Sequence, residues 1–134
     1  MSRTRHHPAA APCPCGSATG YGRCCGRLHS GATDAATAEQ LMRSRYAACA
    51  VGDAGYLLRT WHPRTRPRRL DLDPGTRWLR LEILATGDGS PFHTEGTVSF
   101  RAVYSDDGRE GELREDSRFV RHDGAWTYLD AAGH

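Results

Sequence analysis

The chain of 134 residues contains no lysine and no asparagine, so all 18 of its basic residues are arginine. A basic complement of this kind reads as the codon bias of a GC-rich genome, which excludes treating the arginine count itself as evidence of phosphate binding. Long apolar runs are missing as well. No stretch approaches the roughly 18 to 20 apolar residues that span a bilayer, and the segment from Arg3 to Ala11 lacks the apolar centre of a secretory leader. The sequence therefore predicts a soluble, cytoplasmic protein with no membrane partner. Large apolar side chains are scarce too: Leu, Ile, Val and Phe together supply 19 residues, against 17 alanines. A large core is excluded, and the length suits one compact body plus a small appendage. The core must lean on Trp61, Trp78, Trp126 and the tyrosines, and something beyond apolar burial is expected to hold it.

Cysteine is what the chain has in an unusual place. Four of the five cysteines fall within thirteen residues, as Cys13-Pro14-Cys15, eight intervening residues, then Cys24-Cys25, while Cys49 stands alone. In a reducing compartment four thiols so spaced point to Zn²⁺ rather than to disulfides. A site filled by four thiolates has no position left for water, so such a zinc would be structural rather than catalytic. Four thiolates and one Zn²⁺ would also bring the formal charge from +2 to zero. Arg23 and Arg27 flank the second pair and are expected to offset the site's charge. His29 is the alternative ligand, standing just beyond the second pair.

Residues 1 to 12 have no periodicity and read as a flexible lead-in to this knuckle. After a turn-rich linker, Thr37 with Gln40 three residues on forms a capping box, followed by Ala38, Leu41, Met42, Tyr46 and Cys49 at helical spacing, which predicts a helix over 37–51. Asp53 caps a second helix carrying Tyr56, Leu57, Leu58 and Trp61, ended by His62-Pro63. Residues 63–76 are an irregular connection. Four strands follow, over 78–85, 96–104, 112–121 and 126–130, the first alternating Leu79, Leu81 and Ile83 against Arg80 and Glu82. Asp106-Asp107-Gly108 and His122-Asp123-Gly124 make tight turns, so the sheet is antiparallel. The expected fold is α+β: two helices covering one face of a curved sheet of four strands, preceded by the knuckle. The domain division is 1–30 and 31–134.

In the third strand, period two places Glu115 and Ser117 on the inward face with Leu113 and Phe119, and Trp126 and Tyr128 share that face. A concave pocket walled by Tyr46, Trp61, Phe119 and Trp126 would then hold Glu115 and Ser117. There desolvation would poise Glu115 to move protons, with His62 as a second acid/base candidate. The plainer readings are that Glu115 pairs with Arg45 or Arg118, that His62 caps the second helix, that His93 is a loop residue and that Cys49 is a small buried hydrophobe. The run Arg59 to Arg69 carries five arginines beside Trp61. It suits either a solvated loop or contact with nucleic acid.

The run Cys13-Pro-Cys15-Gly16-Ser17, Tyr21, Cys24-Cys25-Gly26 resembles the SEC-C zinc motif, first known from the tail of the SecA translocation ATPase. The remainder is similar to the bacterial YchJ family: Ala38 to Tyr46, Trp61-His62-Pro63, Thr65-Arg66-Pro67, Ser117 to Val120 and Gly124-Ala125-Trp126 carry the likeness. Together they cover about residues 12 to 130. The resemblance implies a cone-shaped domain like nuclear transport factor 2 behind a SEC-C knuckle, and it implies no reaction. The motif commonly has glycine where Ala18 stands, so a positive φ there would force the loop to relax or move its turn to Gly20. By analogy with the SecA tail, the expected function is a non-enzymatic adaptor that contacts a protein or ribosomal surface through its zinc knuckle. The alternative is a small-molecule enzyme or binder that uses the pocket, with Glu115 as its acid/base.

Overall fold

The computed structural model describes residues 7–131. The first six residues of the expected lead-in lie outside the described residues, but the rest of it is built into the knuckle. Pro12 bridges Gly20, and the Tyr21 and Gly22 amides donate to Ala11 and Ala9 at 2.8 and 2.9 Å. A single turn of 3-10 helix over Tyr21–Arg23 and a five-residue helix α1, Cys25–His29, complete the knuckle. Gly26 is required there, because a Cβ would sit 2.7 Å from the Tyr21 carbonyl oxygen.

Helix α2 spans Ala38–Val51 and starts where its capping residues dictate. The Thr37 hydroxyl accepts from the Gln40 amide at 3.0 Å, and the Gln40 side chain accepts from the Ala36 amide at 2.6 Å. The return bond thus reaches one residue beyond the reciprocal capping box. Gly52, at φ +79°, ends the helix in the left-handed region. Asp53 caps helix α3, Ala54–Arg59, through the Tyr56 amide. That helix stops two residues short of Trp61. A residue before proline is disfavoured in the helical region, and His62 lies outside the helix. Its amide donates to the Tyr128 carbonyl at 2.8 Å, and the Tyr128 amide donates to Thr60 at 2.8 Å. Trp61 and His62 therefore form a short bridge to the sheet rather than a helix end, and the His62 ring does not cap α3 but accepts from the Arg64 amide of the following turn at 3.0 Å.

Strands β1 (Thr76–Asp88), β2 (Glu95–Asp106), β3 (Arg109–His122) and β4 (Ala125–Ala131) form an antiparallel sheet in sequence order. Both Asp-Gly turns have two loop residues at positive φ, Asp107-Gly108 and Asp123-Gly124, which is the turn that matches strand twist. The alternation expected along β1 breaks twice, because the pairing skips Leu79 between Trp78 and Arg80 and skips Leu84 between Ile83 and Ala85. Each bulge shifts the pleat by one residue. Trp78, Leu81 and Ile83 consequently pack on the core, while Leu79 and Leu84 are exposed.

The main core joins Leu41, Met42 and Tyr46 of α2 to Val98, Phe100, Phe119 and Trp126 of the sheet. The other side of α2 is equally covered. Ala47 packs among Cys13, Cys15 and Cys25, and Ala48 packs with Leu28, Tyr56 and Leu57. Helix α2 is thus clamped between sheet and knuckle, and alanine on its outer face lets the knuckle backbone come close.

Candidate metal centre and ligand cavity

The two cysteine pairs reach one point because the chain doubles back between them. Gly16, at φ +87°, turns the loop after Cys15, and Ala18 follows at φ +63°. The loop neither relaxes nor moves its turn to Gly20, which stays at φ −58°. Ala18 instead takes the left-handed conformation itself, at a steric cost glycine would avoid. The Sγ atoms of Cys13, Cys15, Cys24 and Cys25 then lie within 4.8 Å of one another, three of the residues buried and Cys24 half-buried. The Cys15–Cys24 and Cys24–Cys25 sulfur separations are 3.6 and 4.0 Å. Sulfurs at about 2.3 Å from a tetrahedral centre stand about 3.8 Å apart, so the spacing fits a four-thiolate metal site, and it is far too long for disulfide bonds.

Electrostatics favour a cation among these sulfurs. Hydrogen bonds from Cys13 and Cys25 hold the Cys15 thiol far below its ordinary range, which favours a thiolate within the cluster. The same bond to Cys15 pushes Cys13 up to about 11, and bonds to Cys13 and Cys15 together with burial push Cys25 higher still. Each further thiolate is opposed by the first unless positive charge sits between them. The Ser17 hydroxyl stands 3.1 Å from Cys24 Sγ, and Arg43 donates to the Cys15 carbonyl at 3.2 Å while paired with Glu39. Arg23 and Arg27, expected to serve the site, face solvent. The arginine that reaches the cysteine loop comes from α2, and its sequence signal was only a Glu39–Arg43 pair at helical spacing.

His29 is not a ligand. Its Nε2 faces the Ser44 carbonyl at 2.8 Å, which can only accept, so Nε2 carries the proton and Nδ1 takes the Tyr21 hydroxyl at 2.6 Å. Burial pushes its pKa below the ordinary value. Both nitrogens are occupied, Nε2 by α2 and Nδ1 by the knuckle's own Tyr21.

On the opposite side of α2 lies a cavity of about 180 Å³, lined by Tyr46, Trp61, Trp78, Phe100, Glu115 and Tyr128 among others. Ser117, Arg45 and Cys49 also line it. Phe119 and Trp126, expected as walls, do not. Phe119 is wholly enclosed in the core, and the Trp126 indole donates to the Ala36 carbonyl at 3.2 Å under the Arg121 guanidinium. Glu115 Oε2 accepts from Ser117 at 2.6 Å and from Tyr128 at 2.9 Å. It forms no ion pair with Arg45 or Arg118. Arg118 is paired with Asp130, and Arg45 donates through Nη1 to the Leu57 carbonyl and the Thr60 hydroxyl, both at 2.8 Å. Burial pushes the Tyr128 hydroxyl pKa upward, with the Glu115 charge adding to it, and burial pushes the Cys49 thiol up to about 11.

His62 lies outside the cavity, its ring against His122 at 5.1 Å, and His93 is a loop residue whose Nδ1 stands 2.8 Å from the Ser90 hydroxyl. Of the arginine run, Arg59 turns to the Leu28 and His29 carbonyls and Arg66 to that of Trp61. The Trp61 ring is engaged by Tyr128 and Arg45. No helix among the described residues is long and apolar enough to cross a membrane.

Residues 11–27 match the SEC-C motif. Among solved structures, a SEC-C motif containing protein from Rhodopseudomonas palustris is similar with a TM-score of 0.79 and 33% identity, over 92% of this chain and 99% of that one. A second, from Psychrobacter arcticus, has a TM-score of 0.76 and 25% identity over 94% and 84% of the two chains. A UPF0225 protein of Streptomyces coelicolor is 66% identical, covering 89% of this chain and 93% of its own length. A UPF0225 protein of Deinococcus radiodurans is 50% identical over 93% and 92%. Residues 37–131 match the family model described as the YchJ middle domain, like nuclear transport factor 2, and the chain belongs to that family.

Proposed function

We propose that the four cysteines hold one structural Zn²⁺ and that the protein is a non-enzymatic binding module of the cytoplasm. The observation that carries this is the closed set of four sulfurs at tetrahedral spacing, packed against Ala47 of α2. Such a site leaves no coordination position for a substrate or water, so its metal serves the fold. Exposed Arg23 and Arg27 flank the second cysteine pair on the solvent side. They suit an acidic protein patch or ribosomal phosphate as the docking surface. Elemental analysis of the purified protein tests the metal: one zinc per chain is expected, and its loss in Cys24→Ser/Cys25→Ser. Another metal, or none, would overturn that assignment. Crosslinked capture tests the adaptor role by comparing the wild type with Arg23→Glu/Arg27→Glu, which leaves the ligands untouched. One macromolecular partner recovered only by the wild type supports it, and identical recovery from both overturns it.

A second reading, in which the cavity takes a small molecule, is favoured by the aromatic lining and by a carboxylate with no cationic partner within ion-pair distance among the described residues. In that reading Glu115 is the group that would exchange a proton, with Ser117 and Tyr128 orienting it.

A further inference from the structure

Arg45 is a buried charge that no ion pair among the described residues accounts for. It is 8% exposed, lines the cavity, and no carboxylate stands within 4 Å of it among the described residues. Only Nη1 donates to acceptors of the chain, leaving Nε and the second amino group without an acceptor among the described residues. The Trp61 and Tyr128 rings lie 5.2 and 4.8 Å from its Cζ and offset part of the charge, yet they give those N–H groups no oxygen. Glu115, which lines the same cavity beyond ion-pair distance, adds to that offset, and the unpaired N–H groups are not sealed from solvent, so they form a free arginine edge that matches a carboxylate in shape.

Size and lining restrict what could supply that carboxylate. The cavity holds about 180 Å³, close to the roughly 150 Å³ of an engineered cavity that admits benzene and below the roughly 300 Å³ where drug-sized sites begin. Tyr46, Trp78 and Phe100 offer flat apolar walls. Building on the reading that the cavity takes a small molecule, we propose that its ligand is a single-ring carboxylate, with the carboxylate bound by Arg45 and the ring held between the aromatic walls. The Glu115 carboxylate opposes such a ligand. Its Oε2 is already engaged by two hydroxyl donors, which lessens that opposition.

The test uses benzoate and its uncharged isostere benzamide as probes of the metal-loaded full chain, with the three tryptophan indole N–H signals read by NMR. Benzoate is expected to bind once per chain and move the Trp61 and Trp78 signals, leaving Trp126, which does not line the cavity, in place. Benzamide is expected to bind about tenfold more weakly, as the loss of a charge-assisted pair implies. Arg45→Met should bring that ratio near one. Because this variant removes a buried anchor of α3 and can unfold, Glu115→Gln gives an independent arm, in which benzoate binds several-fold tighter once the opposing charge is gone. Equal binding of both probes, or no change in Glu115→Gln, overturns the carboxylate assignment while leaving a small-molecule cavity standing. Neither probe moving Trp61 or Trp78 overturns both.

Discussion

The His29 imidazole, four residues beyond the last cysteine of the cluster, donates to the backbone carbonyl of Ser44 in the middle of helix α2, 2.8 Å away. A side chain of the knuckle thus caps a carbonyl of the larger domain. The Tyr21 hydroxyl closes the chain on the other ring nitrogen, and the ring meets that of Tyr56 at a tilt of 57°, with centroids 4.6 Å apart. Knuckle and domain share one hydrogen-bonded seam.

That seam makes stability depend on pH in a definite direction. Burial holds His29 below its ordinary 6.5, the bond to the Ser44 carbonyl and then Asp53 pulling the other way and Arg59 adding to the depression. The folded chain binds this proton more weakly than the unfolded chain. The stabilisation is complete above about pH 6.5 and is lost as pH falls through the lower, folded value. Denaturant unfolding at about pH 7.5 and 5.5 should show the wild type losing more stability than His29→Gln. Equal losses would mean that the metal thiolates, present in both, account for the whole pH dependence.

Ala47 has no room to grow. It is fully buried between α2 and three cysteines, so Ala47→Leu should cost about 2 kcal/mol by overpacking and should also speed loss of the metal to a competing chelator. Unfolding curves and chelator kinetics measured on the same preparation check both halves. A variant as stable as the wild type would show that the knuckle can lift away from the helix.

Removing the metal should be felt beyond the knuckle. Leu28 sits in one cluster with Ala48, Tyr56 and Leu57, so loosening residues 12–30 exposes part of the surface of α2 and α3. With a strong chelator the whole chain should melt roughly 10 °C lower in a single transition. Two separate transitions, with the tryptophan signal unmoved in the first, would contradict this.

Ala18→Gly should stabilise the protein. Ala18 stands at φ +63°, where a Cβ costs about 1 kcal/mol, and the greater freedom of glycine in the unfolded chain returns part of that. The expected gain is about 0.5 kcal/mol in unfolding free energy, together with tighter metal retention. Destabilisation would mean that the Ala18 methyl makes a favourable contact that outweighs its backbone cost.

Local signals made most of the fold readable. Thr37 and Asp53 placed two helix starts to the residue, and two Asp-Gly pairs placed the turns, because each acts through its own neighbours. The cysteine spacing was equally direct. The errors came from longer range. Leu79 looks like a core residue until β1 pairs with β2 around a bulge at that position, and a bulge leaves no mark in the alternation that it interrupts. Trp61 fits the helical pattern but is claimed by Tyr128, far along the chain. Ala47 and Ala48 are neutral by composition, and only the docked knuckle reveals them as an interface. Phe119 and Trp126 lie on the inward face that period two gives them, but that face is too crowded at their end to stay open.

The clamped position of α2 also bears on the order in which the molecule can assemble. During synthesis the four cysteines emerge before the helix on which they rest, so the growing chain presents its thiols while Ala47, Arg43 and Ser44 are still to come. Metal captured at that moment is held by a loop without a floor, open to exchange with other cellular thiols. An ion taken up at that stage would be enclosed only once α2 and α3 had arrived and closed the seam, so folding of the larger domain would act as the latch on an early-loaded metal.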